Sequence, residues 1–211
     1  MKTQSKASTR EHILNVAERH FANFGYAGTS LRGIIKGADV NVAAIAYHFG
    51  DKEDLFVAVV ERFAAPVVEE QLKRLDEVLV RKRVKLVDVI QAFYEPPIRM
   101  VKKRGKSGEV LAQFLGRAQM EPEPVYTLVD KNFAACRNRF IDAFRRVNPA
   151  LEEADYEWRF EFMLSLIVCF LTRQKLIRER YGDSSEFDVD EALMRLTDFA
   201  LSGLSGAPGR S

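Results

Sequence analysis

Apolar residues recur at steps of three and four along most of this chain. Ile13, Ala17, Phe21 and Phe24 form the first series and predict one face of an amphipathic helix. Ser8 or Thr9 can cap its start, with Glu11 or His12 in the first turn, and the polar residues 1–8 before it are expected to be mobile. Gly25 is expected to end it, because glycine accepts the left-handed conformation found just past a helix. After Tyr26-Ala27-Gly28, Thr29 or Ser30 can cap a short helix over 31–38 with Leu31, Ile34 and Ile35 inward. A turn around Asp39 leads to a third helix over 42–49, with Ile45 and Phe49 inward. Gly50-Asp51 breaks it, and Asp51 can cap a fourth helix whose Leu55, Val59 and Phe63 share one face. Glu53 and Asp54 suit the positive end of that helix's dipole.

Downstream, Pro66 is expected to begin a helix running towards Arg81, since proline is tolerated in a first turn. Further helices are expected at about 84–103, 108–120, 123–147, 152–180 and 188–205. Turn signals divide them at Gly105–Gly108, Glu121-Pro122-Glu123-Pro124, Asn148-Pro149 and Gly182–Ser185. Pro96-Pro97 should kink or split the first of them. No segment alternates as a strand does, and no repeat of 20–50 residues is visible. The fold class is therefore all-α: an N-terminal domain of three short helices over residues 1–55, and a larger helical domain over 56–211.

Composition narrows the picture only a little. Of 211 residues, 47% are hydrophobic and 29% charged, which fits a globular chain with a sizeable core rather than a disordered one. The net charge of +2 is unevenly spread: residues 1–52 hold seven Lys/Arg against four acids, whereas the rest is nearly balanced. A mildly basic head suits phosphate contact. Cys136 and Cys169 have no metal-ligand spacing and are expected to be buried, reduced thiols, as in a cytoplasmic protein. The first thirty residues lack the apolar core of a signal peptide. The strongest apolar run, Phe160–Leu171, is too short for a membrane span, which takes about 20 residues.

Two short helices joined around Asp39 have the form of a helix-turn-helix, whose second helix projects into a DNA major groove about 12 Å wide. The residues expected on its outer face are Asn41, Val42, Ala43, Ala44, Tyr47 and His48. Thr29-Ser30-Leu31-Arg32 followed by Asn41 through Leu55 resembles the DNA-binding signature of TetR-family repressors, with matching order and spacing over residues 9–60. The family usually has glycine where this chain has Asp39, so a local adjustment is expected there. The resemblance implies that Tyr47 and His48 contact phosphates, and that Lys52 does so at a helix start already favourable to anions. It implies that Thr29 or Ser30 caps the second helix and can also donate to phosphate. Asn41, Val42, Ala43 and Ala44 then open the recognition helix, with the alanines near thymine methyls and Asn41 at a phosphate or base edge. His12 and His20 have no third ligand nearby, and neither a metal nor a cofactor is expected.

The resemblance further implies a homodimer built from the last two helices, bound to a pseudo-palindromic double-stranded operator. The run Phe160–Val168 is apolar around most of a helix, and Val189, Leu193, Leu196, Ala200 and Leu204 line one face of the next. The alternative is that both only fill the monomer core. A looser resemblance, carried by Asn41–Lys52, Gln113–Ala118 and Trp158–Leu164, is to the fatty-acid-responsive, PsrA-like branch of the family. It implies a lipophilic acyl-type effector among Phe93, Phe114, Phe133 and Phe162, with Arg117, Arg137 or Arg159 for its carboxylate or phosphate. Plain core packing is the competing reading of those aromatics. No nucleophile elbow, phosphate-binding glycine loop or metal-spaced cluster supports an enzyme. An interaction adaptor that has lost DNA binding is the other rival.

Overall fold

The computed structural model describes residues 2–123, 125–180, 182 and 188–205, without the side chains of residues 2–7 and 178. Among them are nine helices: α1 (Lys2–Gly28), α2 (Leu31–Ala38), α3 (Val42–His48), α4 (Lys52–Leu79), α5 (Leu86–Arg104), α6 (Lys106–Ala118), α7 (Val125–Val147), α8 (Glu153–Arg180) and α9 (Val189–Ser205). The chain divides into two compact units, residues 1–65 with 110–132, and residues 66–109 with 133–211. The first unit thus holds α1 and the short helices α2 and α3, together with the start of α4, most of α6 and the start of α7. The expected turns at Pro124 and 183–185 lie outside the described residues.

In the first unit α1 supplies Ile13, Leu14, Val16, Ala17 and Phe21 to a core shared with Ile34, Ile45, Leu55, Phe56, Val59 and Phe63. Two glycines let α2 come close to α1: a Cβ on Gly37 would stand 2.9 Å from Val16 Cγ1, and one on Gly33 would stand 3.2 Å from the His20 ring. His20 is therefore a packing residue. Phe56 is the centre of an aromatic chain, edge-on to Phe21 at 5.0 Å and to Tyr26 at 5.2 Å, and 5.6 Å from Phe114. Such pairs add to the area term, which is about 1.5–3 kcal/mol for a buried Phe. One ion-paired cluster is partly buried. Arg62 on α4 donates to Asn15 Oδ1 at 2.7 Å, Glu18 Oε2 at 2.8 Å and Glu11 Oε2 at 3.4 Å, and Glu18 is only 6% exposed.

Several details depart from the periodic reading. The first helix begins at Lys2 rather than at Ser8 or Thr9, since no proline or glycine in that stretch stops it. Phe24 is 57% exposed and rests against the His20 ring instead of joining Phe21 in the core. Pro66 lies inside α4, which is one helix through Leu79. Its missing N–H forgoes one bond, at a cost of about 3 kcal/mol, while buried Phe63, Ala64, Val67, Gln71 and Leu75 keep packing on either side.

The second unit is built around α5. Its Phe93 meets Phe140 of α7 at 5.0 Å and Phe160 of α8 at 5.4 Å, both edge-on. Pro96 and Pro97 are buried within α5 and do not split it. Pro97 has no N–H for the Phe93 carbonyl, and the buried Gln71 side chain takes that place by donating from Nε2 at 2.7 Å. Gln71 Oε1 in turn accepts from the Cys136 thiol at 3.4 Å, and burial pushes that thiol up to about 12, so it stays protonated. Cys169 departs from expectation: it is exposed, on the outer side of α8.

Candidate nucleic-acid interface

The α2–turn–α3 segment is capped at every end. Ser30, not Thr29, caps α2 by accepting from Gly33 N at 3.1 Å. Asp39 ends the helix in the left-handed conformation (φ 49, ψ 47), its N–H bonded back to Ile35 and Lys36 carbonyls. That is the local adjustment expected where glycine is usual; aspartate tolerates it better than a β-branched residue would. Asn41 caps α3, its Oδ1 accepting from Ala44 N at 2.8 Å. Asp51 and Asp54 cap the start of α4 reciprocally: Asp54 N donates to Asp51 Oδ1 at 2.9 Å and Asp51 N to Asp54 Oδ2 at 3.4 Å.

With both ends fixed, α3 turns one buried side chain, Ile45, into the unit. Asn41, Val42, Ala43, Ala46 and Tyr47 are exposed, Val42 and Tyr47 at 69% and 67%. Ala44 and His48 are half-buried, and the His48 ring stands 5.0 Å from that of Tyr47. Ala46 was missing from the expected outer face, although its place three residues after Ala43 on a helix would have put it there. Arg32 and Lys36 on α2 are exposed too.

Thr29 is the one member of the expected set that does not reach the surface. It is 2% exposed and its hydroxyl donates to the Gly25 carbonyl at 2.7 Å, so it braces the α1–α2 turn instead of donating to DNA. Lys52, the first residue of α4, is half-buried with its ammonium 4.3 Å from the centroid of the Tyr26 ring. Burial lowers its pKa from the ordinary lysine value, and the Glu121 carboxylate opposes that shift. The result is a small outer face, largely uncharged on α3, with a cation at its far end. A rod of this kind can lie in a groove and leave charge contact to its flanks.

The seven residues expected to line an effector pocket are not brought together within either unit. Phe114 and Arg117 belong to the first unit, and the other five to the second. Phe114 is packed against Phe56 and Phe63, and Arg117 lies at the Gly25–Glu121 junction. Phe93 is core, Phe133 and Arg137 are half-buried, and Phe162 stands on the surface beside Trp158. Arg159 donates to the Gly203 and Leu204 carbonyls and so caps the end of α9. Between α8 and α9 runs an apolar cleft of about 450 Å³ lined by Phe162, Leu166, Cys169, Phe199 and Leu204, among others.

A capped helix-turn-helix with an exposed second helix, in an all-α chain, defines a DNA-binding helical regulator as the class. Residues 13–59 match the family model described as Bacterial regulatory proteins, tetR family, and residues 91–203 that of the Tetracyclin repressor-like, C-terminal domain. The chain belongs to the TetR family. It is 44% identical over 73 residues to the transcriptional regulator AcrR of Shigella flexneri, covering 34% of each protein. To the transcriptional repressor AcnR of Corynebacterium glutamicum it is 36% identical over 92 residues, 44% of each. The chain therefore matches less than half the length of these relatives. The fold is that of the fatty acid degradation regulator FadR of Bacillus halodurans (TM-score 0.68, 12% identity, 94% of this chain and 97% of that one). FadR of Bacillus subtilis in complex with stearoyl-CoA is as similar (TM-score 0.68, 13% identity, 92% and 98%). No described helix is long and apolar enough to cross a membrane.

Proposed function

We propose that this chain is a ligand-responsive, homodimeric repressor that works in the cytoplasm, with residues 1–55 as the DNA-binding part and 56–211 serving effector binding and dimerisation. The α3 helix enters the major groove of a pseudo-palindromic operator. Val42, Ala43 and Ala44 meet base edges, and Ser30, Asn41, Tyr47, His48 and Lys52 hold the flanking phosphates. The observation that carries this reading is the exposure of Val42 and Tyr47, large side chains held on a rigidly capped seven-residue helix. Dimerisation is assigned to the α8–α9 face, where Trp158, Phe162, Met194 and Phe199 are all exposed.

The effector is assigned to the lipophilic acyl class, as in the PsrA-like branch. The support is a shared fold with a FadR that carries stearoyl-CoA. Selection of duplexes from a random pool tests the first part. An inverted repeat is expected, its half-sites about 10–10.5 base pairs apart or a multiple of that. Enrichment of no sequence, or of a single half-site, would count against it. Titrating the complex with stearoyl-CoA tests the second: release of the duplex and a higher melting temperature are expected, since a ligand of the folded state stabilises it. If it does neither, the effector belongs to another class.

A further inference from the structure

The α6–α7 connection reaches the break in α1 through the Glu121 side chain. Glu121 lies between Ala118, the last residue of α6, and Val125, the first of α7. Its Oε1 accepts from the Tyr26 N–H at 2.7 Å, across 95 residues of sequence. That N–H follows a break in α1: Gly25 has φ 70 and ψ 179, values an L side chain adopts only with strain. A Cβ on Gly25 would stand 2.6 Å from the same carboxylate oxygen, so the backbone makes room for Glu121 there. On its other side Tyr26 presents its ring to Lys52 Nζ at 4.3 Å, and Glu121 is the carboxylate that acts on the charge of Lys52. Tyr26 is thus held between Glu121 and Lys52, one at its backbone and one at its ring.

We propose that Glu121 is a positioning residue for DNA binding: by gripping the Tyr26 N–H it sets where the Tyr26 ring, and with it the Lys52 ammonium, meets the operator backbone. This rests on the reading of Lys52 as a phosphate contact. Any ligand that draws the α6–α7 connection away takes Glu121 with it and loosens the grip. Coupling of this kind is reciprocal, so DNA held by Lys52 must in turn strengthen the Glu121–Tyr26 bond.

A double-mutant cycle on the selected duplex tests it, with wild type, Lys52→Ala, Glu121→Ala and the pair. Glu121→Ala alone is expected to weaken binding about tenfold, and less than about twofold when Lys52 is already alanine. Glu121→Gln keeps an oxygen acceptor for the Tyr26 N–H and is expected to restore most of the loss. Equal losses with and without Lys52, or wild-type affinity in Glu121→Ala, would overturn the proposal. Amide hydrogen exchange in the wild-type protein decides the matter without a variant. Protection of Tyr26 that rises when the duplex is added supports the coupling, and unchanged protection refutes it. Should Lys52→Ala bind as wild type does, it is the phosphate role of Lys52 that fails.

Discussion

Replacing Arg62 with alanine is expected to destabilise the chain by about 3 kcal/mol, the lower end of the range for breaking a buried ion pair by removing one partner. The lower end applies because the Arg62 side chain keeps 24% of its exposure while that of Glu18 keeps 7%. Its guanidinium serves three acceptors on successive turns of α1, Glu11, Asn15 and Glu18, so one side chain on α4 fixes the rotation of α1. Without it the buried Glu18 carboxylate loses the Arg62 ion pair, which costs more than the lost bonds. Thermal denaturation should show the melting temperature falling by about 6–12 °C. Adding Glu18→Gln to Arg62→Ala should recover part of the fall, because a buried charge is then gone. A shift below about 2 °C would mean that the pair is solvated and that α1 is held by its apolar face alone.

The second large effect concerns binding. The double variant Tyr47→Ala, Lys52→Ala removes the two side chains proposed as phosphate donors from each subunit of the proposed dimer. At a net value of about 1 kcal/mol per hydrogen bond this loses about 4 kcal/mol, or about a thousandfold in Kd. The two lysines lost per dimer should also lower the slope of log K against log salt by about 2. Fluorescence anisotropy with the selected duplex, titrated at several salt concentrations, reads both quantities. Tyr47 stands on the surface, so its part of the change should leave the melting temperature nearly unaltered. Loss confined to the selected duplex, with an unchanged salt slope, would make these residues base readers rather than backbone contacts.

Much of the DNA-binding unit was legible in the sequence because its rules are local. Caps at Ser30 and Asp51 bond to residues three positions on, and the turn at Asp39 depends on its own backbone. Periodicity found Ile13, Ala17, Phe21, Ile34, Ile45, Leu55, Val59 and Phe63 for the same reason. The misses are where tertiary contact decides. Thr29 is the local exception: it and Ser30 are adjacent and equally able to cap, and the Thr29 hydroxyl bonds the Gly25 carbonyl four residues back. Pro66 reads as a helix start until the packing on both sides of it is known. The expected effector lining is the least local of the readings. Periodicity shows that Phe93 and Phe114 are inward, yet not that they point into different cores. Glu121 had no local signal at all, because its partner is 95 residues away.

In the proposed complex α3 lies in the major groove, twice, on one face of the duplex. Dimethyl sulfate footprinting of the selected site reads this directly, since the reagent methylates guanine N7 in the major groove and adenine N3 in the minor groove. Protection of guanine N7 is expected in two patches whose centres lie about 10–10.5 base pairs apart, or a multiple of that, with adenine N3 still reactive between them. Protection of adenine N3 with guanine N7 left open, or a single patch, would contradict it.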